Sequence, residues 1–107
     1  MARKEIIIKV SDYIKILNES GVHIEKAFLY GSAARNEENT ESDIDVMLVS
    51  KRFDDKTDDH VIGLIWRLTR KIDPRIEPYA VGLDRFIQDD VSPLLQLVRK
   101  EGILIDL

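Results

Sequence analysis

GSAARNEENTESDIDVMLV, residues 31–49, is the stretch on which the reading of this chain turns. The short apolar run KAFLY, residues 26–30, leads into it. That run reads as a buried strand delivered to a turn at Gly31-Ser32. Ala33-Ala34-Arg35 has the composition of a brief helical turn, and residues 36–42 (NEENTES) are loop material. Residues 43–50 (DIDVMLVS) then start with two acids and continue β-branched and apolar, which predicts a central strand. Side chains two apart on a strand share a face, so Asp43 and Asp45 project together while Ile44, Val46 and Leu48 point the other way.

Two adjacent carboxylates repel each other unless a cation sits between them. Their oxygens suit a hard cation such as Mg²⁺, which commonly also takes substrate phosphate. A glycine at a strand end lets backbone N–H groups come close to phosphate, and the Ser32 hydroxyl adds a donor. Arg35 can offer a charge-assisted fork to the same group. Taken singly, each feature has a plain structural explanation: a Gly-Ser turn, a solvated strand start, a surface arginine. Their conjunction favours function, because acids that open an otherwise apolar strand sit at the edge of a core where structure alone would not choose them. A phosphate cradle beside two acids is what phosphoryl or nucleotidyl transfer requires.

The flanking sequence supplies the remaining elements. Residues 3–20 carry Ile7, Val10, Ile14 and Leu17 at helical spacing, and Gly21 is a natural stop. The isoleucines at 6–8 leave a strand start open for the first turn. Thr57 is a candidate cap for a second helix, with Asp58 and Asp59 at its positive end. Val61, Leu64, Ile65, Leu68 and Ile72 form its apolar stripe, and Arg67, Arg70 and Lys71 stand near its C-terminal end. Asp73-Pro74 breaks it. Residues 76–83 read as a third strand, and residues 90–100 as a last helix capped by Ser92 or Asp90 with Pro93 at its start. Gly102 ends that helix, and residues 103–105 either add a strand or simply pack. The order α-β-turn-β-α-β-α predicts an α+β two-layer domain, one unit spanning residues 1–107, with a small sheet of three to four strands. Trp66 reads as core or interface, His23 and His60 as surface, Tyr30 as packing, and the acids at 54–59 as a solvated helix start.

The chain has 107 residues, 44% of them apolar and 34% charged, a globular composition for one domain. A formal net charge of -4 argues against general duplex DNA binding. The absence of cysteine excludes disulfides, a thiolate nucleophile and Cys-ligated metal sites. No Gly-x-x-x-x-Gly-Lys-Ser/Thr loop is present, which excludes a P-loop ATPase. No apolar run approaches the roughly 20 residues that span a bilayer. The first residues do not read as a signal peptide, and a cytoplasmic, non-membrane protein is the expectation.

The pattern GSAAR…SDIDVMLV resembles the GS-x-x-R…S-D-x-D signature of the DNA polymerase β nucleotidyltransferase superfamily. Length and layout look most like its minimal members, the MntA-type antitoxins; Asn36 departs from the glycine that many members carry after the arginine. The resemblance implies a polymerase β-like core with a small mixed sheet and helices mainly on one face. It implies that Gly31, Ser32, Arg35 and Ser42 hold a nucleoside triphosphate, ATP or another, and that Asp43 and Asp45 hold Mg²⁺, two ions in all. The family draws a third carboxylate from a later strand. Glu77 is the candidate, as a metal ligand and acceptor of the attacking hydroxyl's proton, and its alternation puts Tyr79 and Val81 on the same face. Pro78 cannot donate a ladder hydrogen bond, so this strand should lie at an edge or be bulged. Glu77 could instead be an exposed edge acid paired with Arg75.

The activity so implied is Mg²⁺-dependent transfer of a nucleoside monophosphate, AMP from ATP, to a hydroxyl on a partner protein. The family's partner is a small helical HEPN-type toxin, silenced by modification. Two alternatives stay open: an antitoxin that neutralises its partner by contact alone, with a vestigial nucleotide site, and modification of an aminoglycoside. A homodimer or heterocomplex is expected from the small sheet with open edges.

Overall fold

Ile44, Val46 and Leu48 alternate with Asp45, Met47 and Val49 along one strand, and this alternation sorts the molecule into two layers of packing. A computed structural model describes residues 3–35, 42–54 and 59–107. Its elements are α1 (Arg3–Glu19), β1 (Lys26–Tyr30), β2 (Ile44–Ser50), a 3-10 turn (Lys51–Phe53), α2 (Asp59–Thr69), β3 (Ile76–Gly82), α3 (Leu83–Gln88), α4 (Pro93–Glu101) and β4 (Ile103–Leu104). The four strands form one sheet in the order β3-β2-β1-β4. β1 pairs antiparallel with β2 and β4, whereas β2 and β3 run parallel, joined by the α2 crossover.

α1 and α2 cover one face. Ile6, Val10, Tyr13, Ile14 and Leu17 of α1 meet Val61, Ile65 and Leu68 of α2 and the inward residues Ala27, Leu29, Ile44, Val46, Leu48 and Ile76. The Tyr13 hydroxyl, fully buried, donates to the Ile65 carbonyl at 2.7 Å and so ties the two helices together. The opposite face is only partly covered. Met47, Val49 and Val81 pack against Leu95 and Val98 of α4, with Phe28, Tyr30, Leu83 and Phe86 around them. Phe28 and Phe86 stack at 5.2 Å between ring centroids, and the Arg99 guanidinium lies over Phe86. The outer part of this second face is left open, and the acids lie there.

Several expectations are met in detail. The first isoleucines are helical, and Gly21 follows α1 at φ +90. β3 is an edge strand, which accommodates Pro78. Ser92 caps α4, its hydroxyl accepting from the Leu95 N–H, with Pro93 in the first turn. Residues 103–104 form a strand. Two details differ. The third strand ends at Gly82, and Leu83 instead starts α3, a helix that the sequence reading lacked. The Asp54 carboxylate, exposed as expected, also accepts the Asp84 N–H at 2.9 Å and so caps α3. Asn36, Thr57 and Asp58 lie outside the described residues.

Asp73 fastens the start of β3 to α1. It is buried, and it pairs bidentately with Arg75 (2.7 and 3.1 Å) and with Lys9 Nζ at 2.9 Å. These contacts, the hydrogen bonds from Arg75 first, hold its carboxyl well below the usual carboxylate range.

Candidate active site

Strand register assembles the site. Tyr30 at the end of β1 is the partner of Asp45 on β2, and Asp45 is the partner of Glu77 on β3. The three residues thus form a row across one face of the sheet, with Asp43 just before β2 and Tyr79 two residues along β3. Glu77, Tyr79 and Val81 share that face, as their alternation predicts.

The electrostatics are those of gathered like charge. Burial and then the charge of Asp43 push the Asp45 carboxyl upward. Glu77 is pushed up by burial, by Asp43 and Asp45, and by a hydrogen bond with Asp43. Such a bond between carboxyls needs a proton on one of them, so it favours the protonated form. The Tyr30 phenol is pushed up to about 12, by burial first and then by Asp45, Tyr79 and Glu77.

The turn after β1 lies directly against this row. Gly31 has φ +75, and a Cβ placed on it would collide with Asp45 Oδ2 and stand 3.3 Å from Asp45 Cγ. Only glycine meets both demands, positive φ and the close approach. The Arg35 N–H reaches back to the Gly31 carbonyl at 3.3 Å, forming the expected helical turn. The Arg35 guanidinium lies 3.4 Å from Glu101 at the end of α4, and Arg3 donates to the Ala34 carbonyl at 2.9 Å. Ser32 and Ser42 are half-buried at either side of the segment that separates them. Arg75 forks onto Asp73.

Tyr79 and Arg85 also belong to this neighbourhood. Tyr79 is 39% exposed, and Arg85 on α3 donates to its phenol and to Asp89. Alternation with Glu77 places Tyr79 on this face from sequence alone. Nothing local flags Arg85, because its position depends on α3. Trp66 is 47% exposed on α2, which rules it out of the core, and His23 and His60 are exposed as expected.

A strand–glycine turn–acidic strand arrangement on a small mixed sheet has a known counterpart. The sequence model described as Polymerase beta, Nucleotidyltransferase matches residues 12–105, nearly the whole chain. The chain belongs to the polymerase β nucleotidyltransferase family. No curated protein is significantly similar to it in sequence. Among solved structures, this nucleotidyltransferase is similar in fold to a Sulfolobus solfataricus protein provisionally named a nucleotidyltransferase. The TM-score is 0.63 at 14% identity, covering 95% of this chain and 80% of the other. The α+β architecture with a four-stranded mixed sheet is therefore the polymerase β-like fold.

The donor set fits a hard divalent cation in kind: three neighbouring carboxylates, two of them pushed toward protonation by burial and then by the other acids. Among the described residues, however, no group of three or more histidine or acidic side chains is gathered tightly enough to enclose a metal ion. The expected three-acid cage of Asp43, Asp45 and Glu77 is thus not closed in this conformation. No described helix is long and apolar enough to cross a membrane.

Proposed function

We propose that this nucleotidyltransferase domain transfers a nucleoside monophosphate, AMP from ATP, to a hydroxyl of a partner protein. The observation that carries the reading is the row of Asp45 and Glu77 beside Asp43, with the Gly31 turn packed against it. Gly31 and Ser32 present backbone N–H groups and a hydroxyl to the triphosphate, and Arg35 and Ser42 flank it. Asp43, Asp45 and Glu77 would hold Mg²⁺, which when bound supplies charge neutralisation at the phosphates. The acceptor oxygen forms a bond to the α-phosphorus, the α–β anhydride bond breaks, and pyrophosphate leaves. Glu77, whose carboxyl holds a proton more readily than usual, takes the hydroxyl proton.

In this reading the partner is a small helical HEPN-type toxin, the domain acts as its antitoxin, and the work is done in the cytoplasm. The open three-acid set favours a second reading, neutralisation by contact with a vestigial site.

The test pairs the wild-type chain with Asp43→Asn/Asp45→Asn. Calorimetric titration of ATP should show Mg²⁺-dependent binding that the variant loses. Transfer of label from α-labelled ATP to a co-expressed helical partner should vanish with it. A variant that still neutralises the partner would establish the contact mechanism instead.

A further inference from the structure

On the other face of the sheet, at the C-terminal end of α2, lies a cavity of about 310 Å³ lined by Trp66, Arg67, Thr69, Arg70 and Pro74. That volume is at the lower end of the roughly 300–1,000 Å³ of ligand pockets, room for one large side chain rather than an extended ligand. Trp66 is the chain's single tryptophan and is 47% exposed. Arg67, Arg70 and Lys71 are exposed beside it, and none of the three makes an ion pair among the described residues. Cations at a helix C-terminus are favourable toward its dipole, which accounts for their charge. It does not account for a half-exposed tryptophan walling a cavity between two arginines, the residue types most enriched at binding hot spots.

We propose that this cavity docks a short acidic segment of a partner protein. An aromatic side chain of the segment enters beside Trp66, and flanking carboxylates pair with Arg67 and Arg70. A net charge of -4 opposes a polyanion such as RNA, which needs many cations along its track. Two arginines suffice for one or two carboxylates. This inference rests on the reading of the domain as a transferase acting on a partner protein.

Trp66 fluorescence reports on the site directly. The full chain is titrated with acetyl-Gly-Asp-Tyr-Glu-Gly-amide, which carries two carboxylates, with the same peptide carrying Ser for Tyr, and with hexauridylate. The aromatic acidic peptide should shift the emission saturably and bind more weakly in higher salt. Its affinity should fall about tenfold in each of Arg67→Gln and Arg70→Gln, the worth of one charged hydrogen bond. The Ser peptide should bind much more weakly. Absence of a saturable shift, equal affinity in the arginine variants, or tighter binding of hexauridylate would each overturn the proposal. Peptide binding is read without turnover and should survive in Asp43→Asn/Asp45→Asn. Failure of nucleotidyl transfer with peptide binding intact would count against the enzymatic reading and leave the docking site standing.

Discussion

Asp45 and Glu77 are direct register partners on the parallel strands β2 and β3, so two carboxylates that begin 32 residues apart in the chain meet on one face of the sheet. Their repulsion is a local cost to the fold. Like-charge clusters of this kind are commonest at functional sites.

Asp45→Asn should therefore stabilise the ligand-free chain while abolishing transfer. The folded carboxyl is raised above its ordinary value of 3.8, so its ionisation disfavours the folded state at neutral pH. The gain, a few degrees in Tm for a domain of this size, should be full at pH 7 and should vanish as the pH falls below the ordinary carboxylate range. Thermal melts of both proteins across pH check it, and an unchanged or lower Tm at pH 7 would contradict the like-charge account.

A divalent cation relieves the same repulsion. Adding MgCl₂ should raise the Tm of the wild-type chain with a saturable dependence, by about 2.7 kcal/mol of stability at a hundred times Kd. Asp43→Asn/Asp45→Asn should lose the effect. Equal responses in the two proteins would mean that the ion acts elsewhere.

Gly31→Ala meets two obstacles, a left-handed backbone at φ +75 and the Asp45 carboxylate. The backbone alone costs about 1–2 kcal/mol. Combining Gly31→Ala with Asp45→Ala should cost less than the sum of the single changes, because the second change removes the obstructing group. Urea unfolding of the four proteins measures this coupling, and strict additivity would disprove the contact.

Asp73→Asn should destabilise by roughly 2–4 kcal/mol, since it leaves Arg75 and Lys9 facing a neutral amide at a buried position. The sign with pH is opposite to that of Asp45. The folded carboxyl is depressed, so its contribution is full above about pH 4, the ordinary value, and is lost as the pH falls toward the lower folded value. Wild-type stability should drop over that acid range more steeply than that of the variant in denaturant melts.

Much of this was legible in the chain. KAFLY and residues 43–50 are legible as β1 and β2 because short apolar, β-branched runs suit strands buried in a sheet, with β2 starting at Ile44, and the two-residue period sets Asp43 and Asp45 to one side. Pro78 put its strand at an edge for want of an N–H. Of the two readings of Trp66, core or interface, its exposure removes the first: helical spacing from Ile62 says which stripe it borders, not how far the covering layer reaches. The helix α3 escaped notice because six residues carry too little periodicity, and its cap, Asp54, comes from 30 residues earlier.

Local pattern specified α1, α2, α4 and the strands β1 to β3, with the glycine turn and the acids, since these depend on neighbours within a few residues. That Glu77 stands beside Asp45, that Tyr30 joins their row and that Arg85 reaches Tyr79 are properties of the folded chain alone. Those meetings depend on strand order and register, which are set by how two helices bury one face of a sheet and leave part of the other open.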